Sequence, residues 1–469
     1  INMEVSNRFG KRAKVKENLW KLHSSYVKGY AMEDARLTLE IFKKQMARVK
    51  SDKIEDIVEF ESKLIPLLLN TRLKGVRVAQ DRAETLYIEL KQKQELSQKK
   101  LNKRASTDIN VWANASIKRA YDKESIKYTY TDKGTPSFTQ AWLEVQKDPI
   151  SKCVLEIRKL DKIRNTFIKN MIMEKATKGR IHCQFHSTGT VTGRFSSSNP
   201  NLQQVPARDQ ELAPLIRDLF LPEEGEDWVC ADYAQQEPRV LVHYASLKNI
   251  DSALTARDNY HQDENTDFHQ MVADMAEIPR KQAKTINLGL FYGMGQKKLA
   301  LELGLDEETA RSLFKKYHSK VPFVRTISNQ VSNIASTRGY IKTLLGRKRR
   351  FNLWEPVDSF GEKAFPYSQA AAVYHKQKLK RAYTHKALNA LIQGSAADIT
   401  KAAMYQIYKA GLLNDINLLL TVHDELDFSI APNKQKCLNE AIQIMKSCIK
   451  LEVPLQVDVE RGSTWGTIK

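Results

Sequence analysis

Two segments place carboxylates where an apolar strand is expected to continue. "LLLTVHDELDFSI" at 418–430 puts Asp424 and Glu425 between apolar runs, and "WVCADYAQQEPRVLVHYA" at 228–245 puts Asp232 between a strand and a helix. An unpaired buried charge is costly. Asp424 alone fits a hairpin tip with its acids in water, and Asp232 alone fits a helix N-cap. Together, two strand-end aspartates suit two Mg²⁺ ions, which prefer hard oxygen ligands and support phosphoryl transfer.

A third segment, "IPRKQAKTINLGLFYGMG" at 278–295, carries cations on a predicted helix. Arg280, Lys284, Leu288 and Tyr292 are four residues apart and so share one stripe. The two cations lie near the helix N-terminus, where the helix dipole already favours phosphate. The Tyr292 ring offers a flat surface for a base or sugar. The alternative is an amphipathic surface helix kinked at its glycines.

The chain that must position these candidate site residues is long and basic. It has 469 residues, 42% of them hydrophobic, with 75 Lys plus Arg against 55 Asp plus Glu, a formal charge of +20 and a pI near 9.5. The length predicts several domains or subdomains. The charge favours a polyanionic partner, and we expect nucleic acid rather than a membrane because no apolar run is long enough to span a bilayer. Five cysteines without C-x-x-C spacing indicate reduced thiols in an intracellular protein, and no zinc site.

The hydrophobic pattern predicts an α+β protein. Helical periodicity covers residues 30–50, 55–70, 80–104 and 150–175, and residues 250–340 are mostly helical. Gly, Ser and Pro residues between short apolar runs over 176–246 indicate strands and loops, and a strand "PLQVDVE" lies near the C-terminus. We expect an antiparallel sheet flanked by helical arms.

Six segments together resemble family A DNA polymerases, the DNA polymerase I (Klenow-type) group. They are "TGRFSSSNPNLQQVP" (192–206), "DYAQQEPR" (232–239), "DFH" (267–269), "RKQAKTINLGLFYG" (280–293), "LNALIQGSAADI" (388–399) and "VHDE" (422–425). The second, fourth and sixth are similar to the family's motifs A, B and C. The resemblance implies a right-hand polymerase fold, with an antiparallel-sheet palm and helical fingers and thumb.

The resemblance also implies a division of the chain. Residues 1–50 would be the C-terminal remnant of a 3′–5′ exonuclease domain and 51–175 the thumb with its connection to the palm. The first part of the palm would be 176–246, the fingers 247–383, and the second part of the palm 384–469.

The resemblance assigns roles to individual residues. Asp232, Asp424 and the Tyr233 carbonyl would bind two Mg²⁺ ions, with Glu425 near the metals and the primer. The nucleotide would contact His269, Arg280, Lys284, Leu288, Tyr292, Glu237 and Gln236. Lys284 would also protonate pyrophosphate, and Glu237 would exclude a 2′-hydroxyl. The DNA would contact Arg194, Asn201, Gln203, Asn389, Gln393 and His423, whose polar groups suit base-pair acceptors common to all sequences. For Arg194, a structural ion pair is the alternative.

The sequence departs from the family in three places. Gln236 and Pro238 replace apolar residues of motif A, and Leu288 replaces the aromatic residue of motif B. "YAMED" at 30–34 resembles only the last exonuclease motif, and the acids before Tyr30 are Glu4 and Glu17. Exonuclease chemistry in the family needs two earlier carboxylate motifs, so we expect the chain to hold only the end of that domain and to lack 3′–5′ exonuclease activity. The chain also begins without Met, as a fragment would.

The predicted function is Mg²⁺-dependent addition of dNTPs to the 3′-hydroxyl of a primer on a DNA template. The predicted partners are primer–template DNA and dNTPs. We expect a monomer in the cytoplasm of a bacterial or phage-infected cell rather than in an organelle. Two alternatives stay open: a single-subunit RNA polymerase, against which Glu237 argues, and a non-catalytic nucleic-acid scaffold, against which the isolated acids argue.

Overall fold

The computed structural model describes residues 1–207, 209, 211–291, 296–358 and 361–468. The chain divides into two compact units, Ile1–Ser62 and Lys63–Lys469. The first unit is helical, with helices Asn2–Phe9, Val15–Asn18, Leu19–Lys21 and Ser24–Asp52. The predicted helix over 30–50 is therefore confirmed. That this region derives from an exonuclease stays a prediction.

Helices make up most of the rest of the described chain. They are Glu55–Lys74, Gln80–Ala105, Asn114–Lys123, Gln140–Val145, Pro149–Lys162, the π-helix Ile163–Met173, Leu202–Gln204, Leu212–Arg217, Gln236–Ser246, Asp251–Gln262, Phe268–Ala276, Arg280–Phe291, Gln296–Leu303, Glu307–Lys320, Pro322–Arg338, Tyr367–Val373, Thr384–Lys386, Ala387–Lys409, Leu412–Asn414, Pro432–Lys434 and Gln435–Ser447. No helix of the described residues is both long and apolar enough to cross a membrane.

Four antiparallel strands form the largest sheet. In spatial order they are Asn417–Val422, Glu425–Ile430, Asp227–Tyr233 and Val457–Gly462. We call Asp227–Tyr233 the central strand and Val457–Gly462 the C-terminal strand. The two inner strands are almost entirely buried, as a sheet covered by other elements requires. The antiparallel sheet predicted from the sequence is confirmed.

Shorter strands form five small sheets. They are Val76–Val78 with Arg180–Ile181 and Phe220–Leu221; Gln184–His186 with Ser196–Ser198; Thr129–Tyr130 with Pro136–Ser137; Tyr340–Lys342 with Lys348–Arg350; and Leu353–Pro356 with Phe365–Pro366 and Leu379–Arg381. The last of these lies within the predicted fingers, where the sequence pattern gave no sign of a sheet.

The helix Ala387–Lys409 is the core of the second unit. It packs against the helices Gln236–Ser246, Pro322–Arg338 and Gln435–Ser447. Small residues allow this close packing: a Cβ atom on Gly394 would lie 2.6 Å from the Thr343 side chain and 3.2 Å from the Thr192 carbonyl. One face of this helix is thereby held against the loop that contains Thr192.

Two long helices form a helical arm. Gln80–Ala105 packs along Pro149–Lys162 and its π-helical continuation Ile163–Met173, which confirms the predicted helices over 80–104 and 150–175. The connecting segment has its own buried cluster around Ile117, Tyr121 and Phe138. Its helix Asn114–Lys123 lies between the two predicted helices over 80–104 and 150–175.

Candidate active site

The two predicted metal-binding aspartates lie next to each other. The central strand carries Asp232, and Asp424 lies in the two-residue tip between the strands that end at Val422 and begin at Glu425. The Tyr233 backbone N–H donates to the Asp424 carbonyl oxygen across 3.4 Å. The alternative prediction for Asp424, a hairpin tip, is thus correct for the backbone. The same prediction placed the acids in water, and that part is wrong, because Asp424 is only partly exposed.

Carboxylates form a row across three strands. Asp232 is paired directly with Glu425 on one side and with Asp458 of the C-terminal strand on the other. Directly opposed residues project from the same face of a sheet. Asp458 therefore belongs to this acidic row, although sequence reasoning treated its strand only as the end of the fold. The alternation of apolar and acidic residues in "QVDVE" is the signal that could have revealed it.

The electrostatics of this row favour a bound cation. Burial, followed by the Asp424 and Glu425 carboxylates, raises the pKa of Asp232 to about 8. Burial also raises the pKa of Asp424, and Arg194 opposes that shift. Asp232 Oδ1 and Glu425 Oε1 are buried, and neither has a hydrogen-bond partner among the described residues. Hard carboxylate oxygens without partners are a fitting donor set for a divalent metal ion.

A second pair of opposed residues, Asp427 and Cys230, lies two residues along the strands from Glu425 and Asp232. Asp427 pairs with Cys230 in the sheet, and ligand atoms of Cys230, Glu425 and Asp427 lie within 4.8 Å of one another. Asp427 is fully buried and accepts a 2.7 Å hydrogen bond from the Trp228 indole N–H. Burial and the Glu425 carboxylate raise the pKa of Asp427 well above its usual range. Asp427 was not singled out from the sequence, where it reads as one polar residue in an alternating strand.

His269 is held in one orientation by a buried network. The Asn287 amide donates to His269 Nδ1 at 3.1 Å, and the Tyr317 hydroxyl donates to Asn287 Oδ1 at 2.5 Å. Burial lowers the pKa of His269 to about 4, with a further contribution from Lys284. The ring is therefore neutral at pH 7, accepts at Nδ1, and carries its proton on Nε2. Asn287 and Tyr317 were missed because a buried Asn and Tyr look like ordinary core residues.

The cationic helix, Arg280–Phe291, is brought to His269 by Asp267. Asp267 Oδ1 caps the helix Phe268–Ala276 by accepting from the His269 backbone N–H at 2.8 Å, and Oδ2 accepts from Arg280 Nε at 2.9 Å. Arg280 and His269 therefore share a neighbour. Lys284 follows one turn later and is exposed.

Leu288 lies a further turn along the cationic helix and is half-buried. Tyr292 lies outside the described residues. A Cβ atom on Gly289 would lie 2.4 Å from Leu299, which explains the glycine by close approach of the next helix.

The departures in motif A are accommodated at a helix start. Pro238 lies in the first turn of Gln236–Ser246, where its missing N–H costs little. Gln236 is buried and its amide lies 3.4 Å from Thr400 Oγ1. Glu237 pairs with Arg194 at 2.5 Å. Burial raises the pKa of Glu237, and Arg194 acts against that shift.

The remaining candidate DNA-binding side chains differ in whether they already form hydrogen bonds within the protein. Asn201 Oδ1 accepts from the Ser197 hydroxyl at 2.8 Å, and Gln203 Nε2 donates to the Thr421 carbonyl at 3.0 Å. Asn389 Nδ2 is buried and has no partner among the described residues. Gln393 lies four residues further along the same helix and is partly buried, and His423 is exposed at the hairpin tip.

An antiparallel sheet with a row of carboxylates, together with a cationic helix joined through Asp267 to His269, is the arrangement expected of a nucleic-acid polymerase. The sequence matches the profile of DNA polymerase family A over residues 80–467. The chain belongs to DNA polymerase family A, whose activity is template-directed DNA synthesis and whose members depend on metal ions.

Relatives and a solved structure agree with this family. A DNA-directed DNA polymerase of Pseudomonas phage M6 is 36% identical over 96% of this chain and 72% of its own length. A thermostable DNA polymerase I of Thermus filiformis is 30% identical over 93% of this chain and 51% of its own. The polymerase domain of Pol1 from M. smegmatis, solved with a DNA primer–template and dNTP, superposes with a TM-score of 0.72 at 28% identity, covering 87% of this chain and 70% of that one. The predicted α+β right-hand fold is confirmed.

Proposed function

We propose that this DNA polymerase extends a primer by using Asp232, Asp424 and the Tyr233 carbonyl to hold two Mg²⁺ ions. The observation that carries the proposal is the acidic row, in which the pKa of Asp232 is raised to about 8 and its buried Oδ1 atom lacks a hydrogen-bond partner among the described residues. When bound, the ions supply the Lewis acidity that activates the primer 3′-hydroxyl and stabilises the leaving oxygen. Glu425, which pairs with Asp232, would orient the primer end.

The triphosphate would lie against the cationic helix. Neutral His269 donates from Nε2, the atom left free by its bond to Asn287. Arg280, fixed by Asp267, supplies a charged donor, and Lys284 supplies the proton that neutralises departing pyrophosphate. In the proposed site Tyr292 closes over the new base pair, Leu288 faces the sugar, and Glu237 with Gln236 lies beneath it.

The primer–template would follow the polar side chains around the acidic row. We propose that Arg194, Asn201, Gln203, Asn389, Gln393 and His423 contact the primer or the minor groove. Asn389 is the strongest of these candidates, because its buried amide has no protein partner among the described residues. The divisions proposed from the sequence are kept: thumb over 51–175, palm over 176–246 and 384–469, and fingers over 247–383. We also propose that the protein acts as a monomer inside a bacterial or phage-infected cell.

Single-nucleotide incorporation tests the proposal. Four primer–templates that differ only in the first template base are each supplied with one dNTP or one rNTP and Mg²⁺. We expect only the complementary dNTP to be added, and addition to stop when the metal is chelated. Preferential rNTP addition would support the RNA polymerase alternative, and DNA binding without any addition would support the scaffold.

A further inference from the structure

We infer that a small basic subdomain on the fingers, residues 347–386, binds the single-stranded template ahead of the active site. We call this segment the basic flap. The inference rests on the proposed function, because it names a further surface for the same DNA. The basic flap has 40 residues, with ten Lys or Arg and three Asp or Glu, so it carries +7 of the chain's +20. Such a concentration of charge on so short a segment marks a surface for a polyanion.

Some cations of the basic flap serve the fold. Arg381 donates to the Ser336 carbonyl at 3.1 Å and to the Phe351 carbonyl at 3.0 Å, and its guanidinium lies 4.6 Å from the centre of the Trp354 ring. Arg347 bonds to the buried carboxylate of Asp398. These contacts fix the basic flap to the helices Pro322–Arg338 and Ala387–Lys409. The described residues of the basic flap, 347–358 and 361–386, therefore form a platform tied to the rest of the protein.

Other cations of the basic flap are not held by carboxylates. Lys363, Lys376 and Lys378 are exposed, and none of them forms an ion pair with a described carboxylate; the Lys363 ammonium lies 5.4 Å from the centre of the Phe365 ring. The backbone at Lys363 lies near the segment that carries the other two lysines, because the Tyr374 hydroxyl donates to the Lys363 carbonyl at 2.7 Å and Tyr374 precedes Lys376 by two residues. Exposed ammonium groups without a carboxylate partner suit backbone phosphates, whose binding would release counterions.

Exposed aromatic rings accompany these lysines. Tyr367 is 60% exposed. Its ring packs in a T-shaped arrangement with the Trp354 ring, with the two ring centres 5.1 Å apart, and this contact holds the tyrosine in place. Tyr383 is also exposed, with the Lys386 ammonium 5.2 Å from its ring centre. Alternating cations and open aromatic rings are how proteins hold single strands, whose bases have free faces for stacking. A duplex offers no such faces, so the occupant we assign is the unpaired template.

The basic flap continues directly into the proposed DNA site. Lys386 immediately precedes the helix Ala387–Lys409, and Asn389 follows within the first turn. Asn389 is the proposed DNA contact whose amide nitrogen has no hydrogen-bond partner in the part of the chain that the structure describes. A strand that reaches Asn389 therefore lies within about one helical turn, roughly 5 Å of axial rise, of the basic flap.

Binding to primer–templates with different template overhangs tests this assignment without requiring catalysis. One DNA has a single-nucleotide 5′ template overhang and the other an overhang of about 12 nucleotides, enough for one single-strand site. The test variant is Lys363→Gln/Lys376→Gln/Lys378→Gln. The matched control, Lys248→Gln/Lys409→Gln/Lys436→Gln, removes the same charge from three exposed lysines outside the basic flap.

We expect the wild type to bind the long overhang more tightly, and the test variant to lose most of that preference. Three lost phosphate contacts should also lower the slope of log K against log salt by about 2 for the long overhang. The control should keep the preference. Tyr367→Leu should reduce affinity for the long overhang at least about fivefold, the low end for loss of one stacked base, whereas Tyr367→Phe should not.

Three results would overturn the assignment: a test variant that keeps the full preference, equal losses in test and control variants, or a wild type that binds both DNAs alike. The last result with normal primer extension would leave an acidic protein partner as the occupant. Failure of the wild type to extend any primer would instead contradict the proposed function, and the binding preference would still be measurable.

Discussion

Arg194 donates a 2.5 Å hydrogen bond to the Glu237 carboxylate, and both side chains are largely buried. The Arg194 charge also opposes the burial that raises the pKa of Asp424. The ion pair considered for Arg194 from the sequence is thus present. The ion pair fixes Glu237, the residue proposed to lie beneath the sugar, and places the Arg194 charge near Asp424, one of the two carboxylates proposed to bind metal ions.

Glu237→Ala should increase the use of ribonucleotides, because it removes the side chain that would block a 2′-hydroxyl. We expect discrimination between dNTP and rNTP to fall by about 10- to 200-fold, the range for one pocket contact. Glu237→Gln keeps the bulk of the side chain and weakens only the pairing with Arg194, so it should retain most of the discrimination. The measurement is the ratio of kcat/KM values. Unchanged discrimination in Glu237→Ala would remove its proposed role.

Leu288→Tyr should relax discrimination against dideoxynucleotides. A tyrosine hydroxyl can take the place of the missing 3′-hydroxyl, whereas leucine has no polar atom. Leu288→Phe is the matched control, since it adds the ring without the hydroxyl. We expect the dNTP-to-ddNTP ratio of incorporation efficiencies to fall about 10- to 200-fold in the tyrosine variant and far less in the phenylalanine variant. Equal ratios in a Tyr variant that extends normally would show that Leu288 does not face the sugar.

His269 should make the protein less stable as the pH falls below 6.5. Its folded pKa of about 4 lies below the unfolded value, so the unfolded chain takes up the proton first. The stability that neutral His269 contributes is complete above pH 6.5 and is lost as the pH falls toward 4. At pH 5 the loss should be about 2 kcal/mol.

Urea unfolding of wild type and His269→Gln at pH 7 and pH 5 measures this loss. The variant should lose less free energy of unfolding than the wild type over this interval, and the exposed His261→Gln should behave as the wild type does. Identical pH dependence in wild type and His269→Gln would show that His269 is not buried in its neutral form.

Metal affinity should depend on pH through Asp232. Because its pKa is raised to about 8, a proton competes with the cation at neutral pH. We expect the apparent Mg²⁺ affinity to increase by up to roughly tenfold per pH unit up to about pH 8 and then to level off. Asp458→Asn, which removes the charge opposite Asp232, should move the levelling to lower pH. The midpoint of Mg²⁺ titrations of primer extension measures this, and a pH-independent midpoint would contradict it.

The sequence predicted those parts of the site that local patterns encode. Asp232 and Asp424 interrupt apolar strands, and Arg280 and Lys284 repeat at helical spacing, so their elements and neighbours could be inferred. The register of the sheet could not, because pairing between strands some 200 residues apart leaves no local mark. Asp458 therefore went unnoticed, although the register places it opposite Asp232.

Side-chain networks and very short strands could not be predicted from the sequence either. Asn287 and Tyr317 are 30 residues apart, and only their packing shows that they orient His269. The basic flap has strands of two to four residues, too short for an alternating pattern to stand out. Its charge was visible in the composition, but nothing local indicated an ordered surface.

Primer extension by Asp232→Asn and Asp424→Asn, compared with Asp227→Asn, tests the central claim most directly. Asp227 begins the same central strand, five residues and roughly 17 Å from Asp232, and so controls for the substitution itself. We expect both site variants to lose Mg²⁺-dependent extension by several orders of magnitude while binding primer–template DNA, and Asp227→Asn to extend normally. Normal extension by either site variant would contradict the assignment of Asp232 and Asp424 as the carboxylates that bind the metal ions.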